Sequence, residues 1–283
     1  MTKTFKQMNT VDDRCLMVVD SLNLAFRYKH SGAQDFCTDY MRTVDSLKKS
    51  YKASHLIIAG DMGSSSYRKA IYPDYKQNRK DKYADQTEAE KAAFEEFFAE
   101  VQTILEAYQN DGVYPVARYQ GVEADDIAAY ITAKRKKYDL NHVWLISSDK
   151  DWDLLVTDNV SRFSYVTRKE ITESNWSEHY DCTQDEYISI KCLMGDSGDN
   201  VRGVPGIGPK RALQLVQEYG GGYDIIAALP ISSRYKYISA LNEFGADNLI
   251  LNYKLMDLVT HCEEAIGAEN CADLDLLLDN YLT

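Results

Sequence analysis

Carboxylates recur wherever an apolar segment of this 283-residue chain comes to an end. CLMVVD closes on Asp20 and HLIIAGD on Asp61; VYPVARY leads into GVEADD with Glu123, Asp125 and Asp126, and HVWLISSD delivers Asp149 and then Asp151. Asp196 and Asp199 follow in GDSGDN, three residues apart and so able to share one face if that stretch is helical. Asp commonly caps helices and starts turns, which accounts for any one position alone. Four segments out of four weaken that account. If these nine groups converge, two unit charges at 4 Å repel by about 4 kcal/mol at an effective dielectric of 20, so protons or cations must lie among them. No His or Cys accompanies them at ligand spacing, and an all-oxygen donor set suits Mg2+ or Mn2+ rather than Zn2+. More carboxylates than one octahedral ion can use points to two or more ions. Ions so placed activate water and stabilise the leaving oxygen of a phosphodiester. The chain contains no nucleophile-elbow serine, no HExxH and no P-loop, and GIGPKRA lacks the P-loop spacing.

The elements that position these groups follow from hydrophobic periodicity. The four Val-, Ile- and Leu-rich segments at 15–20, 55–61, 113–119 and 142–149 read as buried strands, and SRFSYVTRKEI as a fifth, edge strand. Helical patterns separate them. At Thr87 a capping box with Glu90 opens a helix whose Phe94, Phe97, Phe98, Val101, Ile104, Leu105 and Tyr108 form an apolar stripe, read as core packing. Alternating strands and helices predict an α/β fold with a mostly parallel twisted sheet, and ligands of such sheets bind outside the carboxyl ends of the strands. After about residue 180 the strand signal fades, and DEYISIKCLMGD, PKRALQLVQEYG and YDIIAAL read as short helices. The expected division is an α/β core over 1–180, with a helical excursion at about 63–100, and a helical subdomain over 181–283.

Two segments could meet phosphate. VPGIGPKRA sets Gly206, Gly208 and a proline before a helix, leaving backbone N–H groups free at its start beside Lys210 and Arg211; an ordinary turn between helices is the alternative. The connection GSSSYRKAIYPDYKQNRKDKYADQ is much longer than the roughly 4 to 6 residues usual between elements. Within it Lys76 and Arg79, at i and i+3, would share a helix face, and Tyr67, Tyr72, Tyr75 and Tyr83 offer stacking surfaces for unpaired bases. Cations opposite a metal pocket could neutralise transition-state charge; a solvated basic loop is the other reading.

Net charge at first argues against a nucleic-acid partner: the formal value is -12. The charge is segregated, however. Glu243 to Thr283 holds nine acids and one base, whereas Tyr67 to Lys82 holds six bases against two acids. A second basic run, KRKK at 134–137, reads either as a solvated helix face or as a phosphate-facing one. Apolar runs reach only about five residues, far short of the roughly 18 a membrane span needs, so no membrane partner is expected. The N-terminus lacks the apolar stretch of a secretory signal, and the six cysteines show no ligand spacing, so reduced thiols and a cytoplasmic location are expected.

VVDSLNLAFR, GVEADD, SSDKDWDLL and GDSGDNVRGVPGIGPKRA, in this order over residues 15 to 216, closely resemble the metal-dependent 5′ nuclease and flap endonuclease family, especially its stand-alone bacteriophage members. The resemblance implies a helical arch over the active site and a helix-three-turn-helix element that grips duplex DNA. It implies that Asp20, Asp61, Glu123, Asp125 and Asp126 form a tighter metal site and Asp149, Asp151, Asp196 and Asp199 a second. Lys76 and Arg79 match arch residues that contact the phosphate being cut, with Tyr75 as a stacking partner; Arg27 matches a phosphate contact after the first strand. The glycine turn with Lys210 and Arg211 matches the duplex-binding element, which often holds a potassium ion. Ser21, Gly198 and Arg202 depart from residues common in bacterial relatives, and none of these departures removes a carboxylate. The expected activity is that of a Mg2+-dependent 5′-3′ exonuclease and flap endonuclease acting on flaps, primer junctions and other 5′-ended DNA, as a monomer. An RNA-cleaving acidic-site nuclease and a non-catalytic DNA-binding module are the alternatives.

Overall fold

Six consecutive buried residues, Cys15–Asp20, make a strand that can only lie inside a sheet covered on both faces. The computed structural model, which describes residues 14–32 and 35–283, places it there. The stretch read for a secretory signal lies outside the described residues, Arg14 excepted. In chain order the elements are β1 (Cys15–Asp20), α1 (Ser21–His30), α2 (Cys37–Ser50), β2 (His55–Ala59), α3 (Ser66–Ile71), α4 (Gln77–Ala84), α5 (Glu88–Asp111), β3 (Val116–Ala117), α6 (Ala124–Ala133), β4 (His142–Ile146), β5 (Val160–Ser164), β6 (Lys169–Ile171), α7 (Gln184–Met194), α8 (Pro209–Tyr219), α9 (Gly222–Ala228), α10 (Lys236–Met256), α11 (Leu258–Ile266) and α12 (Ala268–Leu282). Short 3-10 helices cover Lys150–Leu155 and Glu173–Glu178.

The chain divides into two compact units. The first comprises the described residues up to Tyr67, Gln86–Asn175 and Leu258–Thr283; the second comprises Arg68–Asp85 and Trp176–Asp257. This differs from the division read at residue 180, because part of the long basic connection groups with the helical unit and Leu258–Thr283 groups with the sheet.

In the first unit the sheet order is β3-β2-β1-β4-β5-β6, parallel except for the antiparallel β5–β6 pair. Val18 stands opposite Ile57 on one side and Leu145 on the other. The period-two alternation of β1 splits its residues between two cores. Leu16 and Val18 join Ile57, Leu145, Ile127 and the Leu274, Leu278 and Leu282 stripe of α12, while Met17 and Val19 join Ile58, Leu24, Val44 and Ile104. So the last part of the acidic segment, Leu258–Thr283, is two helices that complete a hydrophobic core and keep Glu263, Glu264, Glu269, Asp273 and Asp279 exposed. Two of those charges pair with the KRKK run, Glu263 with Lys134 at 3.7 Å and Asp279 with Lys137 at 2.9 Å.

Three expected elements came out differently. The third strand is two residues long and forms the sheet edge, because Pro115 can offer β2 a carbonyl, to Ile58 at 2.9 Å, but no N–H. The predicted fifth strand is a hairpin: β5 lies inside the sheet and only β6 is the edge, the chain reversing near Arg168 with φ +58°. In α5 the capping box forms and Phe97, Val101, Ile104, Leu105 and Tyr108 are buried, but Phe98 is exposed and Phe94 only half-buried, since this 24-residue helix outruns its core.

The second unit packs α7 to α10 around Leu193, Val204, Leu215, Val216, Ile225 and Leu241, and α10 bends at Gly245, where φ is +76°. Tyr75, Val201, Tyr253 and Met256 form a smaller apolar cluster in it. Among the described residues no helix is long and apolar enough to cross a membrane.

Candidate functional site

Because β1, β2 and β4 run parallel, their carboxyl ends share one edge of the sheet, and seven of the expected carboxylates occur there. Asp20 is the last residue of β1; it caps α1 by accepting the Asn23 N–H at 3.0 Å and accepts the Ser147 hydroxyl at 2.7 Å. Asp61, just past β2, accepts the Ala124 N–H at 2.8 Å and so ties its strand to the start of α6. There Glu123 is the N-cap residue, buried and accepting the Ser65 N–H at 3.4 Å, and Asp125 and Asp126 occupy the first turn, where the helix dipole favours negative charge. Asp149 caps the 3-10 helix at Lys150–Leu155 by accepting the Asp151 N–H at 2.9 Å. Gly121 fixes the approach to this motif. Its φ is +73°, and a β-carbon would sit 2.0 Å from the Ser66 hydroxyl.

The electrostatics of this edge are unfavourable for anions alone. Burial above all, with the charges of Asp61 and Asp149 adding to it, pushes the Asp20 carboxyl up to about 7. Among the described residues no three His, Cys, Asp or Glu side chains already converge on one point as an ion's ligands would. The donor set nonetheless fits a hard divalent cation: every candidate ligand is a carboxylate oxygen, and a cation would relieve the opposition to ionising Asp20.

Asp196 and Asp199 belong to the second unit and do not share a helix face. A bridge pairs Asp196 with Val201, and the Asp196 carboxylate accepts the N–H groups of Gly198 at 2.7 Å and Asp199 at 3.2 Å in a tight turn. Asp199 accepts the Tyr75 hydroxyl at 2.8 Å and pairs with Arg79 at 2.5 Å and Lys76 at 3.7 Å. The two cations reach the same carboxylate, but not from one helix face: Lys76 precedes α4 with a left-handed φ of +55°. Tyr75, expected as an exposed stacking ring, is buried with its hydroxyl turned to Asp199; Tyr83 is the exposed tyrosine of this segment. The glycine turn is solvent-facing. Gly206 takes φ +79°, Gly208 caps α8 without a side-chain bond, Pro209 occupies its first turn, and Lys210 and Arg211 are exposed, Arg211 donating back to the Gly206 carbonyl at 2.5 Å.

Arg27 lies where the sequence analysis did not place it, and Arg168, Ser147 and Asp153 are neighbours the sequence does not single out. Arg27, expected at phosphate, lies against the Tyr165 ring at 4.4 Å, and Arg168 lies 4.1 Å from the same ring; both line a cavity of about 670 Å³ that Arg42 also borders. Ser147 supports Asp20 and also accepts the Asp149 N–H at 3.1 Å. Asp153, in the same DKDWD motif as two expected ligands, is instead buried against Arg162. No spacing rule marks these, since Ser147 and Arg27 meet partners distant in sequence, and Arg168 and Asp153 depend on how the β5–β6 hairpin folds back.

Comparison with known proteins places these features. Residues 15–181 match the model of the 5′-3′ exonuclease N-terminal resolvase-like domain, and residues 182–275 that of the 5′-3′ exonuclease C-terminal SAM fold. The chain is 46% identical over 271 residues to the flap endonuclease of Escherichia phage T5, covering 95% of this chain and 92% of that one. It is 31% identical to DNA polymerase I of Bacillus subtilis over 74% of its own length but only 23% of the polymerase. A bacteriophage T5 flap endonuclease solved as a pseudo-enzyme-product complex with DNA and metal ions superposes with a TM-score of 0.89 at 42% identity, covering 95% of this chain and 99% of that one.

Proposed function

The chain belongs to the 5′-3′ exonuclease family, and we propose that it is a divalent-metal-dependent 5′-3′ exonuclease and 5′-flap endonuclease that hydrolyses DNA phosphodiesters to leave 5′-phosphates. The observation that carries this reading is the row of seven carboxylates at one sheet edge, with Asp20 held near neutral pKa by burial and by its acidic neighbours. Asp20, Asp61, Glu123, Asp125 and Asp126 would hold one ion, and Asp149 and Asp151 a further one; Asp196 and Asp199 are assigned as cation ligands on their motif. Bound there, Mg2+ or Mn2+ supplies an activated water and positive charge for the leaving oxygen.

The remaining chemistry falls to side chains. Lys76 and Arg79 offer charge to the scissile phosphate, and the N–H groups at the start of α8, with Lys210 and Arg211, grip a duplex backbone without reading bases. The glycine turn is the proposed seat of a potassium ion. Arg27 and Arg168, stiffened against Tyr165, would contact phosphates of the strand being handled, and base stacking by Tyr75 would require its ring to leave the apolar cluster. The substrates are primer junctions and flaps, and the protein acts as a monomer in the cytoplasm.

Digestion of a 5′-flap DNA and a single-stranded RNA, each with and without Mg2+, tests the reading. Cleavage of the flap only with Mg2+ supports it. Cleavage of RNA alone overturns the DNA assignment, and no cleavage of either leaves a DNA-binding module. In single-turnover cleavage Lys76→Ala should be slower by about 10²- to 10³-fold, with flap affinity changed less than about threefold. The reverse pattern would make Lys76 an ordinary phosphate contact. Changing Lys210 and Arg211 to Ala should flatten the salt dependence of duplex binding by about one or two phosphate contacts. An unaltered slope removes both from the interface.

A further inference from the structure

We propose that Trp152 is a positioning residue for the cation site, its indole N–H fixing the Asp125 carboxylate in the orientation that a divalent ion requires. The inference rests on the metal-dependent reading above. Trp152 is fully buried, and its Nε1 donates to Asp125 Oδ1 at 2.6 Å. That separation is short for a nitrogen donor, as charge-assisted bonds to carboxylates are. An indole has one N–H and no acceptor, so it can hold a single lone pair of one Asp125 oxygen and no more.

The location gives the bond its consequence. Trp152 sits in the six-residue 3-10 helix that Asp149 caps and whose first turn carries Asp151, and it reaches to the first turn of α6, which carries Asp125 and Asp126. One rigid ring thereby couples two groups of candidate ligands within the sheet-bearing unit. A buried tryptophan serving only as packing also needs a partner for its N–H, but that role predicts no effect on the cation. Groups that hold ligands of a metal typically alter its affinity by about 10- to 100-fold when removed.

Calorimetric titration of the whole protein with MnCl2 separates these roles. Trp152→Phe should weaken Mn2+ binding about 10- to 100-fold. Trp176→Phe should leave it within about twofold, although it too removes a buried indole N–H, one bonded to the Cys182 carbonyl at 2.7 Å. Unchanged affinity in Trp152→Phe, or equal losses in both variants, overturns the proposal. No Mn2+ binding by the wild type overturns the metal reading and the proposal with it. If Trp152→Phe does not fold, Trp144→Phe combined with Trp176→Phe leaves Trp152 as the only one of three tryptophans. Its emission should then shift when Mg2+ is added; constant emission alongside calorimetric binding overturns the role.

Discussion

Asp20→Asn should abolish most cleavage while making the cation-free protein more stable. The substitution keeps the shape of a side chain that is 6% exposed and accepts from Asn23 and Ser147, and an amide can still satisfy both neighbours. It removes the charge a cation would need. A bound ion contributes several kcal/mol to the transition state, and at about 1.4 kcal/mol per tenfold the loss corresponds to about 10³ in single-turnover rate. Stability moves the other way. The folded Asp20 carboxyl lies near 7 against an ordinary 3.8, so its proton favours the folded state: this contribution is fully present below 3.8 and is lost as the pH rises through 7. Asparagine has no such proton to lose. In EDTA at pH 8 the variant should resist urea better than the wild type by a few kcal/mol, an advantage that vanishes as the pH falls towards 4. Millimolar Mg2+ should stabilise the wild type and leave the variant nearly unmoved. Wild-type cleavage rates in the variant would remove Asp20 from the site.

Breaking the Arg162–Asp153 pair is expected to cost about 3 to 5 kcal/mol in urea unfolding. Both side chains are almost fully buried, the second guanidinium contact spans 2.8 Å, and Arg162 also donates to the Ser147 carbonyl at 2.9 Å. Asp153→Asn strands the arginine charge without water. Replacing both together, Asp153→Leu with Arg162→Met, should recover most of that loss, because two apolar groups of similar volume leave no uncompensated charge. If the single and double variants unfold at the same urea concentration, the pair is not what the single change disturbs.

Legibility in the sequence tracked how local each cause was. Apolar runs closing on Asp20, Asp61 and Asp149 announced parallel strands and the edge where they end, since strand burial and alternation are written residue by residue. The Thr87 capping box was likewise local. A cause that lies in a tertiary contact leaves no such trace. Tyr75 is buried because Val201, Tyr253 and Met256 surround it, and Asp153 turns from the site edge to Arg162 in the hairpin. The turn of that hairpin carries its positive φ on Arg168 rather than on glycine, so nothing in its composition signalled a reversal. Counting only the charge of the C-terminal segment hides its periodicity: Leu274, Leu278 and Leu282 recur every four residues, as a helix facing a core requires.

That periodicity has a bearing on synthesis. All seven carboxylates of the sheet edge have emerged from the ribosome by Asp151, yet the unit that carries them still awaits α11 and α12. A nascent chain therefore holds these carboxylates on an unfinished scaffold until the later helices arrive, and pairings this distant in sequence are slow to close.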